Sequence, residues 1–338
     1  MKLTLKILGG LVALVVLLLA ALAIYLFATA LEPSRPVGFQ QVTAADPGHP
    51  PIAVNIWYPT DAKPGFVLLG STGQRVATGG PVTGTGLKLV VISHGTGGGS
   101  MSHADTALAL AEAGFVVAAP THSGDNFQED HAVGTPAWLV DRSRHVSRVI
   151  DYMTGAWADR GRVDGRRVGV FGFSAGATTA LIAIGGKPDL GRVATHCAER
   201  PEFACQLVKP GKPLANPPPP GWPHDRRIAA AVVAAPGLGF TFAPAGLAAV
   251  TAPVQLWTGA EDRIVPRATN ADAVRRLLPA PPELHDVAGA THFSFLMPCG
   301  LLGPPALCKD GADFDRAAFH RDFNRSVVGF FKSHLAAR

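Results

Sequence analysis

The five residues Gly172-Phe173-Ser174-Ala175-Gly176 constrain this chain more than any other stretch. The apolar run Val168 to Phe171 precedes them and reads as a strand buried on both faces. Ala175 to Ile184 follows and reads as a helix. A strand that passes into a helix within so few residues must turn sharply, and the two glycines let strand and helix pass closely. Further strands are expected at Ile52 to Tyr58, Leu87 to Ser93, Phe115 to Ala119, Ile228 to Ala235, Val254 to Thr258 and Leu284 to Val287. Helices are expected over 102–113 with Ser102 as N-cap, and around Val146, Val149, Ile150 and Met153. Phe319, Phe323, Val327, Phe330 and Phe331 mark one face of a last helix. Strands alternating with helices predict an α/β fold, a mostly parallel sheet flanked by helices on both faces.

Two segments stand outside this alternation. Lys2 and Lys6 precede 25 residues without a charge, ending at Glu32. A helix over Ile7 to Ala30 is long enough to cross a bilayer core of about 30 Å. Residues 1–31 are therefore expected to be a signal anchor, the basic flank staying cytoplasmic and the body, 32–338, lying outside. Ala28-Thr29-Ala30 leaves a cleaved signal peptide as the alternative. The second segment, 187–227, holds Cys197, Cys205 and seven prolines between Lys209 and Pro223. Pro-rich chain cannot join a central sheet, so an inserted, lid-like segment is expected there. Gly70 to Gly86, rich in Gly and Thr, reads as a loop between two early strands.

The glycine-flanked serine carries the chemistry. On a strand–turn–helix, Ser174 is presented as a nucleophile and the Ala175 N–H faces the oxyanion that develops at the helix N-terminus. A serine hydroxyl needs a base, and in sheets of this type the chain order is serine, acid, histidine. Asp262, in Thr258-Gly259-Ala260-Glu261-Asp262, leaves the end of a strand, with neighbouring Glu261 the alternative acid. His292 follows the last strand in Gly289-Ala290-Thr291-His292-Phe293, whereas His285 falls inside the strand and His320 and His334 on the final helix. The loop His94-Gly95-Thr96-Gly97-Gly98-Gly99 follows the strand Leu87 to Ser93, and its Thr96 N–H is the expected second oxyanion donor. No Lys-Ser/Thr follows it as in a phosphate-binding P-loop. His94 is expected to order this loop. His122-Ser123-Gly124-Asp125, at the same sheet edge, is expected to order its own loop or line the pocket.

The four cysteines allow three pairings. Their spacing favours two local bridges, Cys197–Cys205 and Cys299–Cys308, in an oxidising compartment. A zinc site is the rival, without C-x-x-C or H-E-x-x-H to support it, and no metal is expected. The net charge of +5 is spread over pairs and single residues with no aromatic-interleaved basic stripe, which argues against nucleic-acid binding.

Taken together, Ile56-Trp57-Tyr58-Pro59, Ser93-His94-Gly95, Gly172 to Gly176, the Asp262 turn and Thr291-His292-Phe293 with Phe295-Leu296 and Cys299 resemble the α/β-hydrolase superfamily. More narrowly, the chain is similar to extracytoplasmic dienelactone-hydrolase-like proteins and platelet-activating-factor acetylhydrolases over about Val37 to Leu335. The resemblance implies ester hydrolysis by a Ser–Asp–His triad, no cofactor and a small-molecule ester substrate. Two departures matter. Dienelactone hydrolases proper use a cysteine nucleophile where this chain has Ser174. In platelet-activating-factor acetylhydrolases the acid follows the strand after the nucleophile helix, and here that run, Ala230 to Pro236, holds no carboxylate. The expected protein is a periplasmic or cell-envelope serine esterase, a monomer touching the membrane only through its N-terminal segment. An acyltransferase or thioesterase on the same triad, a non-catalytic binding protein and a prolyl-oligopeptidase-type peptidase are the alternatives; the last usually needs a large extra domain, for which there is no room.

Overall fold

The computed structural model describes residues 2–69, 72–208, 214–217 and 221–336, with side chains from Thr4 onward. In chain order the elements are α1 (Lys2–Ala28), β1 (Val37–Ala44), β2 (Ile52–Pro59), β3 (Gly65–Leu69), β4 (Thr72–Thr78), β5 (Leu87–Ser93), α2 (Ala104–Glu112), β6 (Val116–Thr121) and α3 (Trp138–Gly155). Then follow β7 (Val163–Phe173), α4 (Ala175–Ala183), α5 (Arg192–Glu199), α6 (Phe203–Gln206), β8 (Ile228–Ala234), β9 (Val254–Gly259), α7 (Ala271–Leu277), β10 (Glu283–Val287) and α8 (Arg316–Leu335).

The strands form one sheet in the order β10-β9-β8-β7-β5-β6-β2-β1-β4-β3. The six from β10 to β6 run parallel, and β2 pairs antiparallel with both β6 and β1. Side chains of the central strands alternate between two cores. Leu89, Val91, Val168, Val170, Ala231 and Val233 pack toward α3, α4 and α7 with Val146, Met153, Leu181 and Val274. Val90, Ile92, Phe171, Phe173 and Val232 pack toward α2 and α8 with Leu108, Leu110, Phe323 and Phe331. Period-two alternation in apolar runs thus fills both faces, which is why these strands read as continuous hydrophobic stretches.

Several expectations change. The segment read as a loop over 70–86 holds β4, an antiparallel partner of β3, while residues 70 and 71 lie outside the described residues. Its polar Gln74 is buried because its Oε1 accepts from Trp57 Nε1 at 3.1 Å, so polarity hid the strand. The helix expected over 102–113 starts at Ala104, and Ser102 is not its cap: Ser102 Oγ accepts from the Gly99 N–H at 3.1 Å instead. Within the segment expected to be an insertion, α5 and α6 are joined by the Cys197–Cys205 bridge. Val193, Ala204 and Leu214 pack there with Ala175, Ile182, Trp138 and Phe240. The part of the expected insertion over 209–213 and 218–220 lies outside the described residues.

The second bridge, Cys299–Cys308, closes the chain after β10. The apolar α1 contains a 25-residue stretch, Thr4–Ala28, of mean hydropathy 3.0, and its most apolar window holds no buried residue. An apolar N-terminal helix and two disulfides fit a location outside the cytoplasm.

Leu181 is fully buried between the sheet and its neighbouring helices. Leu181→Ala is expected to lower stability by about 2–5 kcal/mol, read as a lower urea midpoint at unchanged slope.

Candidate active site

The site is built at the C-terminal ends of the parallel strands, where the loops after β5, β6, β7, β9 and β10 meet. The β7–α4 turn sets its geometry. Ser174 adopts φ 56° and ψ −119°, a conformation that a non-glycine residue holds only under strain from its surroundings. The constraint is backbone on backbone. A Cβ on Gly172 would overlap the Gly176 carbonyl, and one on Gly176 would overlap the carbonyls of Ser93 and His94. Both glycines are therefore demanded by close approach, the second because α4 begins directly against the end of β5. The Ser174 N–H donates to Ala234 O at 3.0 Å, and its carbonyl accepts from Ala177 and Gly237 at 3.0 and 3.1 Å.

Three sequence-predicted side chains come together here. His292 Nε2 lies 3.0 Å from Ser174 Oγ, and His292 Nδ1 lies 2.7 Å from Asp262 Oδ2. A ring protonated on Nδ1 donates to the carboxylate and leaves Nε2 free to accept from the serine hydroxyl. The other carboxylate oxygen, Oδ1, accepts from the N–H groups of Ile264 and Val265, both at 2.9 Å. Asp262 is buried and Glu261 exposed, so the alternative acid faces solvent. His292 opens a short 3-10 turn capped at Thr291, where Ser294 Oγ accepts from the Thr291 N–H at 2.9 Å. Phe173 packs 4.8 Å from the His292 ring and walls it on one side.

Ala175 follows the serine in the chain, and Thr96 lies in the loop after β5. Ala175 opens α4, where the first-turn N–H groups have no intrahelical acceptor. Thr96 is half-exposed, next to Gly95; a Cβ on Gly95 would stand 3.2 Å from the Ser174 Cβ.

Behind this loop lies a buried charge pair that sequence reasoning did not single out. Arg142 Nη1 donates to Asp125 Oδ2 at 2.5 Å, with both side chains almost wholly buried. Asp125 Oδ1 accepts from the Gly97 N–H at 2.8 Å, and its Oδ2 also accepts from Trp138 Nε1 at 2.6 Å. Arg142 also donates to the His94 carbonyl and, at 3.1 Å, to Thr179 Oγ1. The pair thus ties α3 and α4 to the His94–Gly99 loop. A signal existed: Arg142 stands in the same helical stripe as Leu139, Val146 and Val149. Asp125 is thereby a loop-ordering residue. His94 orders the loop as well, its Nε2 accepting from the His122 N–H at 3.1 Å.

A chain of buried imidazoles continues from there. His122 Nε2 meets Ser93 Oγ at 2.9 Å, and His122 Nδ1 meets His145 Nδ1 at 3.2 Å. Burial, then the Arg142 charge, lowers His94 to about 3. Burial also lowers His103 to about 3, and burial with the Arg144 charge lowers His145 to about 4. His122 is driven down by the same burial and by Arg142. All four rings are neutral at pH 7. Asp105 pairs with His320 at 2.6 Å. Among the described residues no group of three or more His, Cys, Asp or Glu side chains is arranged to hold a metal ion.

Residues 76–214 match the dienelactone hydrolase family, and the sheet flanked by helices is consistent with the α/β-hydrolase fold. The match supports a carboxylic ester hydrolase. It spans the His94–Gly99 loop and Ser174 and ends before Asp262 and His292. No curated protein matches the chain in sequence. Among solved structures it is similar to a ferulic acid esterase from Streptomyces cinnamoneus, with a TM-score of 0.62 and 19% identity over 91% of this chain and 94% of that one.

Two outcomes follow from the buried groups. An unfolded chain protonates these histidines near 6.5, whereas the folded one keeps His94, His103 and His145 neutral down to about 3–4. The unfolded state then binds more protons between those values, so stability falls as pH drops below 6.5, by about 1.4 kcal/mol per pH unit for each such ring. Urea midpoints are expected to stay level from pH 7.5 to about 6.5 and to fall from there to pH 5; a flat profile over the whole range would contradict the neutral rings. Arg142→Leu leaves the Asp125 carboxylate buried without its cation and is expected to cost about 3–5 kcal/mol in the same assay.

Proposed function

We propose that this hydrolase is a serine esterase that cleaves small-molecule carboxylic esters through an acyl-enzyme on Ser174. The observation that carries the reading is the continuous hydrogen-bonded line Ser174–His292–Asp262 at a strained strand-to-helix turn. Ser174 Oγ attacks the ester carbonyl carbon while its proton passes to His292 Nε2. Asp262 holds the ring in the Nδ1-protonated tautomer and stabilises the imidazolium that forms. The carbonyl oxygen takes up the negative charge and accepts from the Ala175 and Thr96 N–H groups, each worth about 3 kcal/mol in a dry site. Collapse of this intermediate expels the alcohol, which leaves with the proton from His292. Water then gives its proton to His292 and attacks the acyl carbon, releasing the acid and restoring Ser174.

No step of this scheme calls on a cofactor or metal. The segment around α5 and α6 shares an apolar cluster with Ala175, and as a lid there it would select chain length. We place the body outside the cytoplasm, held to the membrane by an uncleaved α1. Support for retention comes from a contact that α1 itself makes with the body: Tyr25 Oη accepts from the Leu301 N–H at 3.0 Å. The protein acts as a monomer.

A fluorophosphonate probe is expected to label the full chain at Ser174 and to leave Ser174→Ala unlabelled. Labelling of that variant at the wild-type level would overturn the nucleophile. Asp262→Asn, which disfavours the working tautomer, is expected to lower kcat on p-nitrophenyl butyrate by about four orders of magnitude at pH 7.

A further inference from the structure

We infer that the body makes a second contact with the bilayer beside α1, through the disulfide-closed loop Cys299–Cys308 and the edge strand β3. The inference rests on the reading of α1 as a retained membrane anchor.

Three observations converge on one patch. First, the end of α1 is fixed against both elements. Tyr25 Oη accepts from the Leu301 N–H at 3.0 Å, and the Phe27 ring lies 5.7 Å from the Phe66 ring of β3. The Arg75 guanidinium stands 4.2 Å above Phe27. The point where the apolar helix leaves the bilayer is therefore also the position of β3 and of this loop. Second, these two elements expose large apolar side chains to an extent the rest of the body rarely matches: Leu301 is 67% exposed, Leu302 45%, Leu68 47% and Phe66 37%. Pro304, Pro305 and Ala306 are exposed as well, and no charged residue lies between Phe295 and Cys308. Third, β3 is the last strand of the sheet, and its sequence Gly65-Phe66-Val67-Leu68-Leu69 contains no charge. A bare apolar edge in water invites pairing with other chains, which proteins normally prevent with charge, proline or a covering element.

A lipid surface is the occupant that fits. The patch is continuous with the exit of a membrane helix, so lipid already lies beside it. Tyr25 and Phe27 mark the interfacial level, where aromatic rings settle. Exposed Lys63, before β3, and Lys309, after Cys308, flank the apolar side chains and suit phosphate headgroups. The contact also touches the chemistry. The loop follows His292 on the same segment, and the Met297 N–H between them donates to Ser102 O at 3.2 Å. Seating the loop in the interface orients the mouth of the site toward the membrane side of the body.

The full chain, reconstituted in phosphatidylcholine–phosphatidylglycerol vesicles containing a diazirine phosphatidylcholine, tests this by irradiation, digestion and mass spectrometry. Adducts are expected on α1 and on peptides containing 65–69 and 299–308. Adducts confined to α1 would overturn the second contact and leave the anchor standing. Their absence from α1 would overturn the anchor and this inference with it. In the double variant Leu301→Asp/Leu302→Asp, body adducts are expected to fall about fivefold or more with α1 adducts unchanged, because charge is expelled from the interface. Wild-type turnover of p-nitrophenyl butyrate by that variant shows that it is folded, and undiminished body adducts in it would count against the inference.

Discussion

The site depends on one backbone contact, the packing of Gly176 against the carbonyls of Ser93 and His94. That contact brings the start of α4 onto the end of β5, which no side chain at position 176 permits. It holds Ser174 in its strained conformation and sets the His94–Gly99 loop beside the serine. Ser174 and the His94–Gly99 loop thus follow two strands that are neighbours in the sheet, Ser93 pairing with Gly172. The distance between them is fixed by sheet spacing rather than by flexible side chains.

The Arg142–Asp125 pair solves a problem created by that packing. The loop after β5 is glycine-rich and has few side chains of its own to hold it. Burying a charge pair is expensive, and its Coulomb attraction repays the cost only when every remaining donor and acceptor is satisfied. Here Asp125 takes up Gly97 N–H and Trp138 Nε1, and Arg142 spends its other donors on His94 O and Thr179. An apolar pair of equal volume would fill the space without fixing the Gly97 amide or the His94 carbonyl. The pair is best understood as a device for position rather than for net stability.

Much of this was legible in the sequence because the central strands are apolar on both faces and the serine turn has its glycines at forced positions. Asp262 and His292 were legible from chain order and from their place after strands, and Glu261 was separable only by burial, which a sequence does not print. What escaped detection was polar or short. Strand β4 hides behind Gly and Thr, its Gln74 kept in the core by a single bond to Trp57. Strand β1 alternates buried and exposed positions only in its second half, where Gln40, Gln41 and Thr43 dilute the apolar signal. Arg142 belongs to no motif, although its helical phase with Leu139 and Val146 marks it as buried.

The histidine is the least local part of the site. It lies 118 residues from the serine it meets and sits on a turn, not on a strand. Its position is set by elements far apart in the chain. His320 of α8 bridges Asp105 of α2, at 2.6 Å, and the Ser294 carbonyl of the histidine turn, at 2.9 Å. Asn324 donates to the same carboxylate at 2.8 Å, and Asp310 accepts from Ser294 Oγ at 2.6 Å while pairing with Arg316. A reacting constellation tolerates errors of only about half an ångström, so a ring on a free turn would rarely stand in line with Ser174. The final helix therefore does more than close the apolar face of the sheet. Its polar N-terminal half reaches under the turn and fixes it, and the Cys299–Cys308 bridge shortens the free chain between that turn and α8. The line of hydrogen bonds through Ser174 is complete only when the last element of the fold has docked.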